Sequence, residues 1–187
     1  MTKKKHVFDL FPHIQSLIQS TDKGILRDRW VQFVGKKGTM KSTHCVYAAY
    51  RWMMKYGPVI YVTTETNKTR PLTKAIKSFK FPGFVNFYKK QKKIAFIEPK
   101  DVKSGTIFSE DKLYALVKEK KKLFDKIHDN KPVLLNIDSI VSFWEKAPST
   151  SQETWTRIYS TLKYECTVGI VTSRTSRGSG QSFGSGC

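Results

Sequence analysis

Residues 35–42 read Gly35-Lys36-Lys37-Gly38-Thr39-Met40-Lys41-Ser42. Set against the phosphate-loop pattern G-x-x-x-x-G-K-[ST], every fixed position fits but one: Met40 stands where the second glycine belongs. In such a loop successive backbone N–H groups cradle phosphate oxygens, the lysine reaches the terminal phosphates and the hydroxyl ligates Mg²⁺. The expected phosphate-contacting set is therefore Gly35, Lys36, Lys37, Gly38, Thr39, Met40, Lys41, Ser42 and Thr43, with Ser42 also on the metal. Glycine at the departing position accepts dihedrals that a residue with a Cβ resists. With methionine there, the loop either opens or carries strain of about 1–3 kcal/mol. At 1.4 kcal/mol per decade, that corresponds to about a five- to hundred-fold loss of nucleotide affinity.

The flanking pattern suits the motif. Trp30 to Val34 (WVQFV) reads as a buried strand feeding the loop, and Val46, Ala49, Tyr50 and Met53 recur at helical spacing over Thr43 to Tyr56. Gly57-Pro58 ends that helix, and Val59 to Thr63 (VIYVT) is a second apolar strand. Leu72, Ala75, Ile76 and Phe79 outline a further helix, followed by a short strand at Ile94 to Ile97. Leu113, Leu116, Val117, Phe124 and Ile127 mark a lysine-studded helix; Pro132 to Ile137 is a continuous apolar strand; Trp155, Ile158, Tyr159 and Leu162 trace another helix before the strand Thr167 to Thr172. Alternating strands and helices of these lengths predict an α/β fold: a mainly parallel sheet flanked by helices on both faces. Residues 1–28 form a lead-in, in which 7–20 look amphipathic with Pro12 limiting any helix before it, and 29–187 form the core. From Arg174 the chain turns Gly/Ser-rich and loses apolar periodicity. That segment, 174–187, fits a functional loop, a frayed terminus or an artificial end, and a core that stops in mid-loop is expected to lack its final strands.

The charge is far from balanced. Thirty-four Lys+Arg against 15 Asp+Glu give a formal +19 over 187 residues, a length of one domain. A field of that sign favours polyanions, nucleic acid first and an acidic membrane surface second, although each lysine run taken singly is most often a solvated face. Three scattered cysteines (Cys45, Cys166, Cys187) form no disulfide framework or zinc spacing, and the four histidines offer no metal-ligand spacing. With no signal-peptide pattern and no membrane-length apolar run, the expectation is a cytoplasmic protein without a membrane partner.

Two carboxylates complete the chemistry. Asp138 ends the strand that starts at Pro132, where Mg²⁺ or its water is held in phosphate-loop folds; Asp138-Ser139 also fits a helix N-cap. Glu65 lies just past the strand Val59 to Thr63, where a carboxylate can orient or deprotonate an attacking water, and singly it also reads as an ordinary loop residue.

These segments carry a resemblance. Tyr61-Val62-Thr63-Thr64-Glu65-Thr66 with Arg70-Pro71 resembles the glutamate-bearing segment of RecA/RadA recombinases and their KaiC-like relatives. Asn136-Ile137-Asp138-Ser139-Ile140 looks like their Walker B segment, and Val168 to Ser173 with Gly180-Gln181-Ser182-Phe183-Gly184 is similar to the strand and glycine loop of archaeal RadA paralogs. The similarity spans roughly residues 29–187. It implies a RecA-type core binding ATP and Mg²⁺, with Lys41 and Ser42 on phosphate and metal, Asp138 on the metal side, and Glu65 as hydrolytic base. It implies that 174–186 faces DNA, with Arg174 standing where active members place a γ-phosphate-sensing glutamine. Arg174 and Arg177 suit phosphate contacts, and Phe183 (or Trp144, which also suits packing) suits stacking on bases, single strands preferred.

Three readings follow. The first is a RadA-paralog ATPase that accompanies a RadA-type recombinase, or self-assembles, in homologous recombination or repair. The second is a non-hydrolysing, degenerate RecA-fold interaction module. The third is a KaiC-like regulatory ATPase without a DNA role.

Overall fold

The computed structural model describes residues 7–11, 25–26, 28–36, 38–63, 81, 83–84, 86–98, 110–140 and 151–173. The expected helix over 72–79 lies outside them, as do Lys37, Glu65, Trp144, Arg174, Arg177 and Phe183. Among the described residues seven strands and three long helices follow one another: β1 (Val7–Phe8), β2 (Ile25–Leu26), β3 (Trp30–Val34), α1 (Lys41–Lys55), β4 (Val59–Thr63), β5 (Ile94–Ile97), α2 (Glu110–His128), β6 (Leu134–Asp138), α3 (Ser151–Leu162) and β7 (Val168–Ser173). A π-helical turn, Asn86–Lys90, precedes β5.

Five strands form one parallel sheet in the order β3-β7-β6-β4-β5. Side chains of a strand alternate between faces, so a sheet covered on both sides needs apolar residues at every position. β4 and β7 are buried throughout. On one face Val59, Tyr61, Leu134, Val168 and Ile170 pack against Cys45, Val46, Ala49, Trp52 and Met53 of α1, which recur at helical spacing. On the other, Ile60, Val62, Leu135, Ile137 and Val171 meet Leu113, Val117 and Phe124 of α2 and Ile158 and Leu162 of α3. Each large apolar side chain so buried contributes about 1.5–3 kcal/mol. The expected α/β architecture, helices on both faces, is the one observed. No helix among the described residues is long and apolar enough to cross a membrane.

Two short pieces of the lead-in, 7–11 and 25–26, are described along with Asp28. β1 pairs antiparallel with β2, and Phe8 stacks near Trp52 and Tyr56, with ring centroids 4.8 and 5.1 Å away. Asp9 accepts from Arg51 at 2.8 Å, pinning the segment to α1.

One contact fixes the seat of β3. Trp30 lies opposite Gly169 in the β3–β7 register, and a Cβ on Gly169 would sit 2.2 Å from the indole ring. Only glycine leaves the indole room to lie across β7, where its ring meets Tyr159 of α3 edge-on at 5.5 Å.

Because the five strands are parallel, Val34, Thr63, Asp138 and Ser173 all end at one edge of the sheet. The phosphate loop follows Val34 directly, so loop, α1 N-terminus and Asp138 share the crevice outside the strands' carboxyl ends, where open α/β sheets bind ligands.

Candidate functional site

The loop leaves β3 at Gly35 and turns through two left-handed residues before α1 begins. Gly38 sits at φ 87° and Met40 at φ 60°, ψ 15°. Met40 thus takes the strained-dihedral branch of the expectation, adopting a conformation that costs a residue with a Cβ about 1–2 kcal/mol. Its carbonyl accepts the first helical bond, from His44 N at 3.0 Å. Among the described residues no side chain caps the helix, and its first turn holds no acidic residue. The leading N–H groups of a fifteen-residue helix are therefore left facing the crevice with the positive end of its dipole, an arrangement suited to an anion.

Lys41 closes the loop on itself. Its Nζ donates to Gly35 O at 2.8 Å, Lys36 O at 2.7 Å and Thr39 Oγ1 at 3.2 Å. Thr39 Oγ1 in turn donates to Lys36 O at 2.8 Å. The ammonium is thus placed against the loop that the motif assigns to phosphate.

Asp138, at the end of β6, receives three hydroxyls. Ser42 Oγ donates to Oδ1 at 3.0 Å, Thr172 Oγ1 to Oδ1 at 2.8 Å and Tyr61 OH to Oδ2 at 3.2 Å. A carboxylate offers about four lone-pair positions, so these bonds fix its plane and leave Oδ2 with capacity to accept once more. The neighbouring Asp138–Ser139 peptide is cis, and Ser139 Oγ donates to Thr172 O at 3.2 Å.

The structure brings together Ser42 and Asp138, which the sequence singled out, and sets around them Tyr61, Thr172, Cys45 and Asn136, which it did not. Burial, and secondarily the Asp138 charge, push the Tyr61 phenol well above its ordinary value, so it stays a hydrogen-bond donor at neutral pH. The same causes in the same order raise the buried Cys45 thiol. Asn136, fully buried two residues before Asp138 in β6, donates Nδ2 to Cys45 O at 2.8 Å, while its Oδ1 finds no partner among the described residues. The available sequence signal was polar side chains inside strands otherwise built for burial, since a buried Tyr, Thr or Asn must find partners.

Mg²⁺ takes hard oxygen ligands, typically one or two carboxylates plus phosphate oxygens and water. Ser42 Oγ and the Asp138 carboxylate are such donors, already side by side, so the residues fit that ion. Among the described residues no group of three His, Cys, Asp or Glu could hold a metal alone. Of the remaining expected site residues, Gly35, Lys36, Gly38, Thr39, Met40 and Thr43 lie in the loop or on the first turn of α1. Register places Thr63 beside Asp138, which brings the strand preceding Glu65 next to the carboxylate.

A profile of the ATPase family described as KaiC matches residues 12–186. A KaiC-like protein of the hyperthermophilic archaeon Pyrococcus horikoshii OT3 has a similar solved structure, with a TM-score of 0.69 and 22% identity, covering 91% of this chain and 71% of that one. At that identity the structural likeness speaks for the fold alone. A search among curated proteins returned no match.

Proposed function

The chain belongs to the KaiC ATPase family, and from that premise we propose that it binds ATP with Mg²⁺ in the crevice between the loop Gly35–Ser42 and Asp138. The Ser42–Asp138 hydrogen bond carries the reading, because it joins the two oxygen donors such an ion needs across 96 residues of sequence. Lys41 supplies positive charge to the terminal phosphates, and the N–H groups of the loop and first turn of α1 supply the cradle. Tyr61 and Thr172 hold the Asp138 carboxylate in one orientation. Mg²⁺ bound there offsets phosphate charge. Glu65 is the candidate base for water, and Arg174 the candidate γ-phosphate sensor; turnover is the property most exposed to the departures at Met40 and Arg174.

Titration calorimetry with ATP tests the site. Wild type is expected to bind more tightly with Mg²⁺ than with EDTA, Lys41→Ala to lose binding, and Asp138→Asn to bind equally in both conditions. No heat from the wild type at millimolar ATP would sink the reading. Phosphate release with and without Mg²⁺ then separates an ATPase from a non-hydrolysing interaction module.

A DNA partner, in recombination or repair beside a RadA-type recombinase, is supported by the formal charge of +19 and by the sequence resemblance. Salt-sensitive binding of single strands separates this from a KaiC-like regulator without a DNA role.

A further inference from the structure

The opposite edge of the sheet, where the strands begin, is the second charged end of the molecule. There the turn before β6 carries Asn130 and Lys131, and the segment before β5 carries Lys89, Lys90, Lys92 and Lys93. The two segments are neighbours: His128 Nε2 lies 3.1 Å from Lys92 O, and Lys93 N–H and carbonyl tie into the same layer through Phe87 O and Val59 N. Lys89, Lys90, Lys92 and Lys131 are exposed and have no carboxylate partner among the described residues. Lys93 lies beneath them, its Nζ donating to Met53 O at 2.8 Å. Burial, and then the nearby Lys131 charge, lower its affinity for a proton. Like charges held this close cost stability unless an anion offsets them.

Beside Lys131 the edge opens into a cleft of about 310 Å³, walled in part by Asp28, Asn130, Tyr164 and Glu165. That volume lies at the small end of ligand pockets. Tyr164 is 81% exposed at its rim, with Lys163 Nζ 4.8 Å above the ring. Asp28, Asn130 and Glu165 in its lining carry acceptors suited to base amino groups, whereas Lys131, which also lines it, and the lysines before β5 suit phosphates. Asp129 is the exposed carboxylate of the same turn as Lys131.

We propose that this edge, opposite the nucleotide crevice, is a docking surface for single-stranded nucleic acid: Lys89, Lys90, Lys92 and Lys131 take successive phosphates, and the cleft takes a base stacked against Tyr164. The five strands, about 4.8 Å apart, spread these groups along a track broad enough for several nucleotides. A lipid surface matches the lysines but gives the polar cleft no role. The inference rests on the nucleic-acid part of the reading above and assigns that partner a surface away from the loop 174–187.

The test is fluorescence anisotropy of a labelled mixed-sequence oligonucleotide over a salt series, beside sedimentation with phosphatidylserine vesicles. The variants are Lys89→Glu/Lys92→Glu/Lys131→Glu, Tyr164→Ala, and Arg174→Ala/Arg177→Ala, each checked for ATP binding and thermal unfolding. Reversing three lysines should weaken binding more than about ten-fold and lower the salt slope by about 2, at about 0.7 per single-strand phosphate. Tyr164→Ala should weaken it about ten-fold with the slope unchanged. Should the reversed set lower thermal stability, the same lysines changed to Gln are expected to give the same slope change. Wild-type affinity and slope in the lysine variants, with loss in Arg174→Ala/Arg177→Ala, would overturn this surface and leave the DNA reading standing. Wild type that ignores the oligonucleotide at low salt overturns both, and capture by vesicles alone replaces the partner with a membrane.

Discussion

Met40 holds a left-handed backbone at φ 60° with a side chain 59% exposed, so little packing offsets its strain. Lys41, bonded to Gly35 O and Lys36 O, holds the loop in that conformation through the protein's own contacts. The cost therefore falls on folding stability more than on nucleotide affinity, which narrows the affinity penalty expected from the sequence. Met40→Gly should stabilise the fold by about 1 kcal/mol once the freer unfolded glycine is discounted. That corresponds to a rise in Tm of about 2–4 °C for a chain of this size. Met40→Ala keeps the Cβ and should show no rise; equal shifts in the two variants would mean that strain at this residue is not the cause. Lys41, Ser42 and Asp138 were legible because one short motif and one strand end name them. Tyr61 and Thr172 were not, because which hydroxyl meets Asp138 depends on pairing β6 with both β4 and β7. No local pattern encodes that register.

Strands were easier to read than their order. Trp30–Val34, Val59–Thr63 and Ile94–Ile97 fall where apolar runs and turn residues predict them; Val59–Thr63 is buried throughout, as a strand covered on both faces must be, whereas Trp30–Val34, expected to be buried, lies at the end of the strand order and stays half-exposed. Two-residue strands such as β1 and β2 carry no periodicity, and the π-helical turn before β5 has no sequence signal of its own. The order β3-β7-β6-β4-β5 is set by tertiary packing, and the Trp30–Gly169 contact is one of its fastenings. Gly169→Ala puts a methyl group into the indole, so it should destabilise the fold by about 1–3 kcal/mol in urea unfolding. Trp30→Leu in the same background should recover part of that loss, with a coupling of at least about 0.5 kcal/mol. Strict additivity would show that the two side chains do not compete for the same space.

For the whole molecule, net charge and buried acids pull in opposite directions as pH rises. Loss of lysine charge relieves the repulsion within a +19 chain. A free lysine side chain titrates near about 10.4, however, and at physiological salt repulsion beyond about 8 Å is screened. A free thiol titrates near about 8.5, so the buried cysteines act first. Burial raises Cys45 well above its ordinary value and carries Cys166 to about 12. Folded thiols then keep protons that unfolded ones release. Their contribution is whole below the unfolded value and is lost as pH climbs from about 8.5 toward the folded value, at about 1.4 kcal/mol per unit for each group. Tyr61, raised by burial and by Asp138, adds a later loss above about pH 10. Thiol ionisation thus wins between pH 9 and 10, where stability should fall by about 2–3 kcal/mol. Urea midpoints measured across this window, in wild type and in Cys45→Ala/Cys166→Ala, check the argument. The double variant should be flatter whatever its starting stability, because the slope counts protons while the baseline counts packing. An equal slope in both proteins would show that these two thiols are not the cause of the alkaline loss.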